Sequence, residues 1–313
     1  MDTDGQAQVT RRGVGTWVLL ANGVMGAAAL DTLAAVHRPR LVATAEPTWG
    51  PGPVRRAAAR HRLPVVAGTR VDRHPVADWS GVAGPLDLII VACTAARIPA
   101  RSLAATRLGW WNLHPSALPQ WRGADPVGWQ LLTGARRIGC TVHDIVPRLD
   151  AGAVLARGSI DVADGQDRGA LLRQAGARLG VLAAACLDRV AAGEDLPAQP
   201  QTAKDASWAP PAGVAVLLDP HALSAAAVVA AMRAFSPHPG VAVLGAPGQV
   251  RLANGHRGAR LTGGAVPGRV TATAAGSVAV ACRDRWVHAE IVAGRADALP
   301  LRRHLPDPDL PPA

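Results

Sequence analysis

Short apolar runs alternate with longer segments of helical periodicity between residues 16 and 193. The strongest run, LDLIIVACTA at 86–95, is apolar almost throughout, which is typical of a strand buried on both faces. Strands of this kind, each followed by a helix, form parallel sheets with helices on both sides. The alternation therefore predicts an α/β fold built on a doubly wound, Rossmann-like parallel sheet.

The predicted elements follow one another in a regular order. Strands are expected at 16–23, 40–47, 63–68, 86–95, 109–114 and 139–145, and helices at 24–37, 54–62, 126–134 and 166–193. The segment ANGVMG at 21–26 lacks the GxGxxG spacing of dinucleotide-binding folds. We therefore interpret it as a tight turn between the first strand and its helix.

A change of composition at 194–209 divides the chain, because this stretch is rich in Pro, Gln and Ala. One predicted helix follows, and then come five short strand-like segments separated by Gly and Pro, which is typical of a small, OB-like β-barrel. The helix is expected at 221–235 and the strands at 241–245, 248–253, 268–276, 277–284 and 286–294. The predicted domains are a catalytic domain at 1–193, a linker at 194–209, a β-barrel domain at 210–302 and a tail at 303–313.

The charge of the chain permits an anionic partner without indicating one. The formal net charge is +10 and the pI is about 11.2, values that also occur in nucleic-acid-binding proteins. Lys204 is the single lysine, however, and the arginines are scattered along the chain rather than grouped in one run. An arginine-rich composition explains the charge equally well.

Cysteine spacing and hydropathy limit the remaining classes of function. The four cysteines are far apart and form no CxxC pair, so the sequence predicts neither a metal site nor a disulfide framework. Cys93 and Cys140 lie in apolar runs and are expected in the core. No signal-peptide pattern precedes the first strand, and no apolar run suggests a membrane span. We therefore expect a cytoplasmic protein without a membrane partner.

Asn112 and His114 close the predicted strand at 109–114. Asparagine occurs only three times in the chain, so its placement beside a histidine is notable. Alternate residues of a strand point to the same side, and open parallel sheets bind ligands at the carboxyl ends of their strands. We expect both side chains to face one cleft. Alternatively, they only satisfy backbone groups of the following loop.

The stretch GCTVHDIVPRLDAGAVLA at 139–156 favours a chemical role for this pair. It places His143 on a predicted strand and Asp150 in the loop that follows. A neighbouring strand and its loop could bring the Asp150 carboxylate to the His114 imidazole and fix its tautomer, as a general acid–base pair needs. The Asn112 amide could donate hydrogen bonds to an oxyanion that develops on an attacked carbonyl.

Together with NLHPSALPQWRGADP at 112–126, this stretch resembles the signature of the 10-formyltetrahydrofolate-dependent formyltransferases. That family includes methionyl-tRNA, glycinamide ribonucleotide and amino-sugar formyltransferases. The segment AFSPHPGVAV at 234–243 resembles the start of their C-terminal domain. The matching motif positions are Asn112, His114, Ser116, Leu118, Pro119, Arg122, Gly123, Gly139, Thr141, His143, Asp150 and Gly152.

The resemblance implies which residues form the site. The catalytic residues of the family map onto Asn112, His114 and Asp150, and no metal is expected. The formyl donor, 10-formyltetrahydrofolate, would lie against the end of the strongest strand and the loop before Asp150. Its predicted contacts are Arg97, Ile98, Pro99, Ser116, Leu118, Val146 and Leu149.

The acceptor of the formyl group is left open by the resemblance. The methionyl-tRNA enzymes carry a basic loop after the second strand, whereas this chain has TAEPTWGPGPVRR at 44–56. The resemblance therefore favours a small-molecule amine, as in the amino-sugar and hydroxyornithine N-formyltransferases. Transfer to methionyl-tRNA is one alternative. A folate-binding protein, or a hydrolase that releases formate without transferring it, is another.

Overall fold

The structure is a computed structural model of the chain. It describes residues 15–46, 52–68, 79–81, 83–94, 98–211, 217–245, 248–262, 264–274 and 277–293. The predicted donor contact Arg97 and the predicted tail at 303–313 lie outside these residues.

The N-terminal sheet has seven strands in the order β3-β2-β1-β4-β5-β7-β8. The first five of these pair in parallel, which confirms the predicted Rossmann-like sheet. β7 instead runs antiparallel to β5, and β8 has no counterpart among the predicted strands. The strands are β1 (Trp17–Ala21), β2 (Leu41–Thr44), β3 (Val65–Ala67), β4 (Leu88–Ala92), β5 (Trp110–His114), β7 (Arg137–Asp144) and β8 (Val154–Asp161); β6 (Arg122–Gly123) lies outside this sheet.

The helices begin where side chains or prolines suit a helix N-terminus. α2 starts at a proline, and the Glu46 carboxylate accepts hydrogen bonds from the backbone N–H groups of Val54 and Arg55 at 3.1 and 3.2 Å. Asp125 caps α4 in the same way, through Gly128 N–H. The helices are α1 (Gly23–Val36), α2 (Pro53–Arg60), α3 (Ala100–Leu103), α4 (Pro126–Leu132), α5 (Arg168–Ala191) and α6 (Ala225–Phe235).

Both faces of the N-terminal sheet are buried at β1, β2 and β4, which explains why these strands are almost wholly apolar. On β4, Ile90 faces the layer formed with α1 and α5, while Ile89 and Val91 face a second layer that contains Trp79. Each fully buried Ile or Leu side chain stabilises the fold by about 1.5–3 kcal/mol. Cys140 is also buried, as predicted, and burial raises the pKa of its thiol to about 12.

The prediction for Cys93 is wrong, because this side chain is exposed. β4 ends at Ala92, and the backbone of Cys93 takes a left-handed conformation with φ of 67°. Its carbonyl oxygen accepts a hydrogen bond from Asn22 Nδ2 at 2.9 Å. The chain therefore leaves the sheet three residues before the predicted strand ends at residue 95.

α5 packs closely against α1 within the N-terminal core. A methyl group at Gly176 would collide with the carbonyl oxygen of Met25, and one at Gly180 would lie 2.8 Å from Thr32 Cβ. In the described part of the chain, α5 is the one helix that is long and apolar enough to cross a membrane. Several of its apolar side chains, including Leu179 and Leu187, are buried in the core, so core packing accounts for much of this composition.

The C-terminal sheet has six strands in the order β10-β11-β12-β15-β14-β13. All neighbours pair antiparallel except β10 and β11. Each of the five predicted strands is present, and β12 continues well beyond its predicted end at residue 253. The predicted fold class, a Rossmann-like domain with a small C-terminal β domain, is confirmed. The strands are β10 (Leu217–Leu218), β11 (Val241–Gly245), β12 (Gly248–Arg260), β13 (Val270–Ala274), β14 (Ser277–Ala281) and β15 (Arg285–Ala293); β9 (Trp208–Ala209) lies outside this sheet.

The chain divides into two compact units, each of which contains one of the large sheets. The first comprises Met1–Arg122, Ile138–Ile160 and Leu172–Ser207, and the second Gly123–Arg137, Asp161–Leu171 and Trp208–Ala313. All residues of the candidate site described below belong to the first unit. The domain boundaries predicted at 193 and 210 remain predictions.

Candidate active site

The pairing of β5 with β7 places polar side chains side by side at the edge where β5 ends. Asn112 lies opposite His143, and His114 lies opposite Thr141. Residues that face each other across an antiparallel pair share one face of the sheet. The intervening residues, such as Leu113, point into the hydrophobic core on the other face.

The loop after β7 brings Asp150 into this group. Asn112 Nδ2 donates a hydrogen bond to Asp150 Oδ1 at 3.2 Å. His114 Nδ1 lies 3.8 Å from Asp150 Oδ2, and His143 Nε2 lies 3.7 Å from Asp150 Oδ1. The structure thus brings together the three residues predicted as catalytic. It also adds His143, to which the sequence analysis assigned no role.

Hydrogen bonds to backbone carbonyls fix the orientation of both imidazoles. His114 Nε2 lies 2.9 Å from the carbonyl oxygen of Trp121, and His143 Nδ1 lies 2.7 Å from that of Asp144. Because a carbonyl oxygen only accepts, both of these nitrogens carry hydrogen. The remaining nitrogens, His114 Nδ1 and His143 Nε2, face the carboxylate of Asp150. His143 Nε2 also accepts from Asn112 Nδ2 at 3.2 Å.

The cluster is largely shielded from solvent. His114, His143 and Asp150 are 3%, 1% and 8% exposed, whereas Asn112 is half-buried. The pKa of His143 is lowered to about 4, mainly by burial and also by the nearby His114, while Asp150 opposes the shift. His143 is therefore neutral at pH 7, which is the state that accepts the Asn112 hydrogen bond.

The low pKa of His143 predicts that acid destabilises the fold. An unfolded histidine takes up a proton near pH 6.5, whereas folded His143 does so only near pH 4. Between these values the unfolded state binds more protons, so the free energy of unfolding falls as the pH falls. We expect His143→Gln, which keeps a hydrogen-bond acceptor, to flatten this dependence. Urea unfolding of the wild type and of His143→Gln between pH 4 and 6.5 measures this dependence. Equal slopes of the free energy of unfolding against pH would contradict the low pKa of His143.

An apolar wall borders the polar cluster. The predicted donor contacts Ile98, Val146 and Leu149 line the same small cleft as Asn112 and Asp150. Leu149 is 43% exposed and therefore offers apolar surface to this cleft. An apolar wall with a few polar groups beside it is typical of sites that bind small organic ligands.

The other predicted donor contacts lie elsewhere in the loops. Pro99 precedes the first turn of α3. Ser116 and Leu118 are buried: Ser116 Oγ donates to Gln120 O at 2.7 Å, and Leu118 N donates to Thr141 Oγ1 at 3.3 Å. These contacts stabilise the loop after β5, and binding of the donor by these residues remains a prediction.

The cluster also offers ligand atoms of the types that bind zinc. His114, His143 and Asp150 each place one such atom within 4.8 Å of the others. Two imidazoles and a carboxylate occur in many metal sites as well as in acid–base pairs. The metal-free site expected from the sequence therefore remains a prediction.

Comparison with known proteins identifies the family. Residues 73–180 match the family described as Formyl transferase, and residues 221–297 match Formyl transferase, C-terminal domain. A methionyl-tRNA formyltransferase of Thiobacillus denitrificans is 31% identical over 264 residues, 82% of this chain and 84% of the relative. The chain belongs to the formyl transferase family. The predicted family is confirmed, and this formyltransferase is an enzyme that depends on 10-formyltetrahydrofolate.

Other relatives agree with this assignment. A methionyl-tRNA formyltransferase of Mycobacterium bovis is 32% identical over 72% of both chains. HypX from Aquifex aeolicus, solved with tetrahydrofolic acid, matches 88% of this formyltransferase with a TM-score of 0.61 and 17% identity. This chain spans less than half of HypX, 43% of its length.

A second solved structure is an N-formyltransferase from Helicobacter canadensis in complex with folinic acid and dTDP-3-aminofucose. It matches 88% of this chain and 98% of its own, with a TM-score of 0.56 and 11% identity. At such identities, the likeness to both solved structures concerns the fold alone.

Proposed function

We propose that this formyltransferase moves the formyl group of 10-formyltetrahydrofolate to the amine of a small molecule, with Asn112, His114 and Asp150 as catalytic residues. The convergence of Asn112 and His114 on the carboxylate of Asp150 is the observation that supports the chemistry. When bound, the donor supplies a formyl group on its N10 nitrogen. The residues of the chain then position the reactants and move protons.

Asp150 and His114 are suited to carry the proton of the acceptor amine. The amine loses one proton as its nitrogen attacks the formyl carbon, and the departing N10 nitrogen needs one proton. Asp150 Oδ2 and His114 Nδ1 lie 3.8 Å apart and share one buried pocket, so this pair can accept the first proton and return it. The hydrogen bond from His114 Nε2 to Trp121 O keeps Nδ1 turned toward the carboxylate.

Asn112 is suited to stabilise the charge that develops on the formyl oxygen. In the structure its amide nitrogen lies 3.2 Å from both Asp150 Oδ1 and His143 Nε2. Both hydrogens are thus held in place before the reaction. One of them would leave its present acceptor to bind the oxyanion, and a donor fixed in a shielded site contributes strongly to catalysis.

The connection between β2 and α2 supports a small-molecule acceptor. Residues 45–52 contain no Lys or Arg, and their one charged side chain, Glu46, caps α2 and accepts from Gly23 N at 3.2 Å. A protein segment that contacts a nucleic-acid backbone depends on basic side chains. This connection therefore offers little to the acceptor stem of a tRNA.

Methionyl-tRNA is the second candidate acceptor. The relatives from Thiobacillus denitrificans and Mycobacterium bovis bear that name. In addition, Arg257, Arg260 and Arg269 of the C-terminal unit are exposed and could contact phosphates.

A screen of acceptors distinguishes the two candidates. The enzyme is incubated with 10-formyltetrahydrofolate and either amino sugars, hydroxyornithine or methionyl-tRNA, and products are detected by the mass gain of one formyl group. We expect product from a small amine and none from methionyl-tRNA. Formylation of methionyl-tRNA with an affinity that falls steeply with salt would establish the second candidate instead. Formate release without any formylated amine would contradict both.

A further inference from the structure

Gln201 connects the segment before β9 to the loop that carries Asp150. Its Nε2 donates hydrogen bonds to the carbonyl oxygens of Asp150 at 2.9 Å and Gly152 at 2.7 Å. Its Oε1 accepts from Arg122 Nε at 3.2 Å and from Arg122 Nη2 at 2.7 Å. A glutamine amide has two N–H donors and two acceptor lone pairs, so these four bonds use its whole capacity.

Arg122 determines how the Gln201 amide is oriented. Its side chain is 2% exposed, and its backbone N–H donates to Ser207 O at 2.9 Å. Burial lowers the pKa of Arg122, Arg148 lowers it further, and Asp150 opposes the shift. Because a guanidinium group only donates, the oxygen of the Gln201 amide must face it. The NH₂ group is then left to face the two loop carbonyls.

The loop needs such support, because Asp150 has a left-handed backbone with φ of 47°. Residues other than glycine hold this conformation only when their surroundings stabilise it. The two carbonyl groups bound by Gln201 lie at Asp150 itself and two residues later. Gln201 therefore fixes the backbone from which the Asp150 carboxylate reaches His114 and Asn112.

We propose that Gln201 is a positioning residue for formyl transfer, which sets the Asp150 carboxylate at its working distance from His114 and Asn112. This inference rests on the proposed function, because it assigns Gln201 to the same proton-transfer step. It makes the segment predicted as a linker a part of the catalytic unit.

The test is Gln201→Glu in the full-length enzyme. Glutamate keeps the acceptor for Arg122 but loses both N–H donors, and its charge repels the carbonyl oxygens of the loop. Small displacements of a reacting group lower rates by up to about a hundredfold. We expect the single-turnover rate to fall by about ten- to a hundredfold, with an altered pH profile, while the KM of the donor and the melting temperature stay close to wild type.

Gln199→Glu is the matched control. Gln199 belongs to the same segment, its side chain contacts Arg157, and its backbone pairs with Val154. The same chemical change at this position keeps an acceptor for Arg157 and leaves the Asp150 loop untouched. We expect wild-type rates, so equal rates for Gln199→Glu and Gln201→Glu would overturn the proposal.

Combining Gln201→Glu with Asp150→Asn separates this proposal from the proposed function. If Gln201 acts through Asp150, the double variant should be little slower than Asp150→Asn alone. Fully additive losses, or a loss explained by a lower melting temperature, would overturn the positioning role. A slow Asp150→Asn beside a normal Gln201→Glu would refute this inference alone. A normal rate for Asp150→Asn would refute both.

Discussion

Replacing Asp150 with asparagine is expected to slow formyl transfer by about two to four orders of magnitude, the usual loss when acid–base assistance is removed. The amide has the shape of the carboxylate and can still accept from Asn112, but it does not take up the proton of the acceptor amine. Asparagine also tolerates the left-handed backbone at this position. The fold should therefore be retained. Single-turnover transfer, with melting curves on the same preparations, measures both effects.

His114→Ala serves as the companion variant. It should lose about as much rate as Asp150→Asn, and the double variant should lose little more than either, because residues that act as a unit are not additive. Affinity for the donor should change far less, since the predicted donor contacts are other residues. Near-normal turnover in Asp150→Asn would show that the mechanism is wrong and would favour folate binding without transfer.

A large structural effect is expected for Gly152→Ala. A methyl group at this position would overlap the carbonyl oxygen of Asp144. That carbonyl belongs to the last residue of β7, whose N–H donates to Ala153 O at 2.9 Å, so neither backbone can move away easily. Overpacking of this kind costs about 1–3 kcal/mol. We expect the melting temperature to fall by several degrees, and turnover to fall as well because the Asp150 loop is displaced.

Gly81→Ala provides the control for this substitution. Gly81 has a helical backbone, and a methyl group there would meet no atom within 4 Å. Alanine favours a helix over glycine by up to about 1 kcal/mol, so stability should stay constant or rise slightly. Equal melting temperatures for wild type and Gly152→Ala would show that the loop yields to the extra methyl group.

Much of the architecture could be predicted from local sequence patterns. The apolar run at 86–95 contains β4, and the alternation of strands and helices led to the correct sheet. Hydrophobic periodicity carries this information because each strand must bury its side chains on both faces. Such patterns say little about strand direction or about partly exposed edge strands. This is why the antiparallel direction of β7 and the whole of β8, whose residues alternate between intermediate and exposed from Ala156 onward, were missed.

The resemblance of the motifs at 112–126 and 139–156 to the formyltransferase signature was sufficient to indicate the family from the sequence alone. Local periodicity places two side chains of one strand on one face, and the order of the motif positions is a property of the chain. The contacts that these residues make in the folded protein, by contrast, are not a property of the local sequence. The 3.2 Å bond between Asn112 and Asp150 joins residues 38 positions apart.

Only the tertiary structure decided the surroundings of the Asp150 carboxylate. The register of β5 and β7 places His143 beside Asn112, and the return of the chain near residue 201 brings Gln201 to the Asp150 loop. In the sequence, His143 was a motif position without an assigned role, and Gln201 was one of two glutamines in a predicted linker. Their roles depend on long-range pairing and on buried partners such as Arg122, and neither leaves a periodic trace in the sequence.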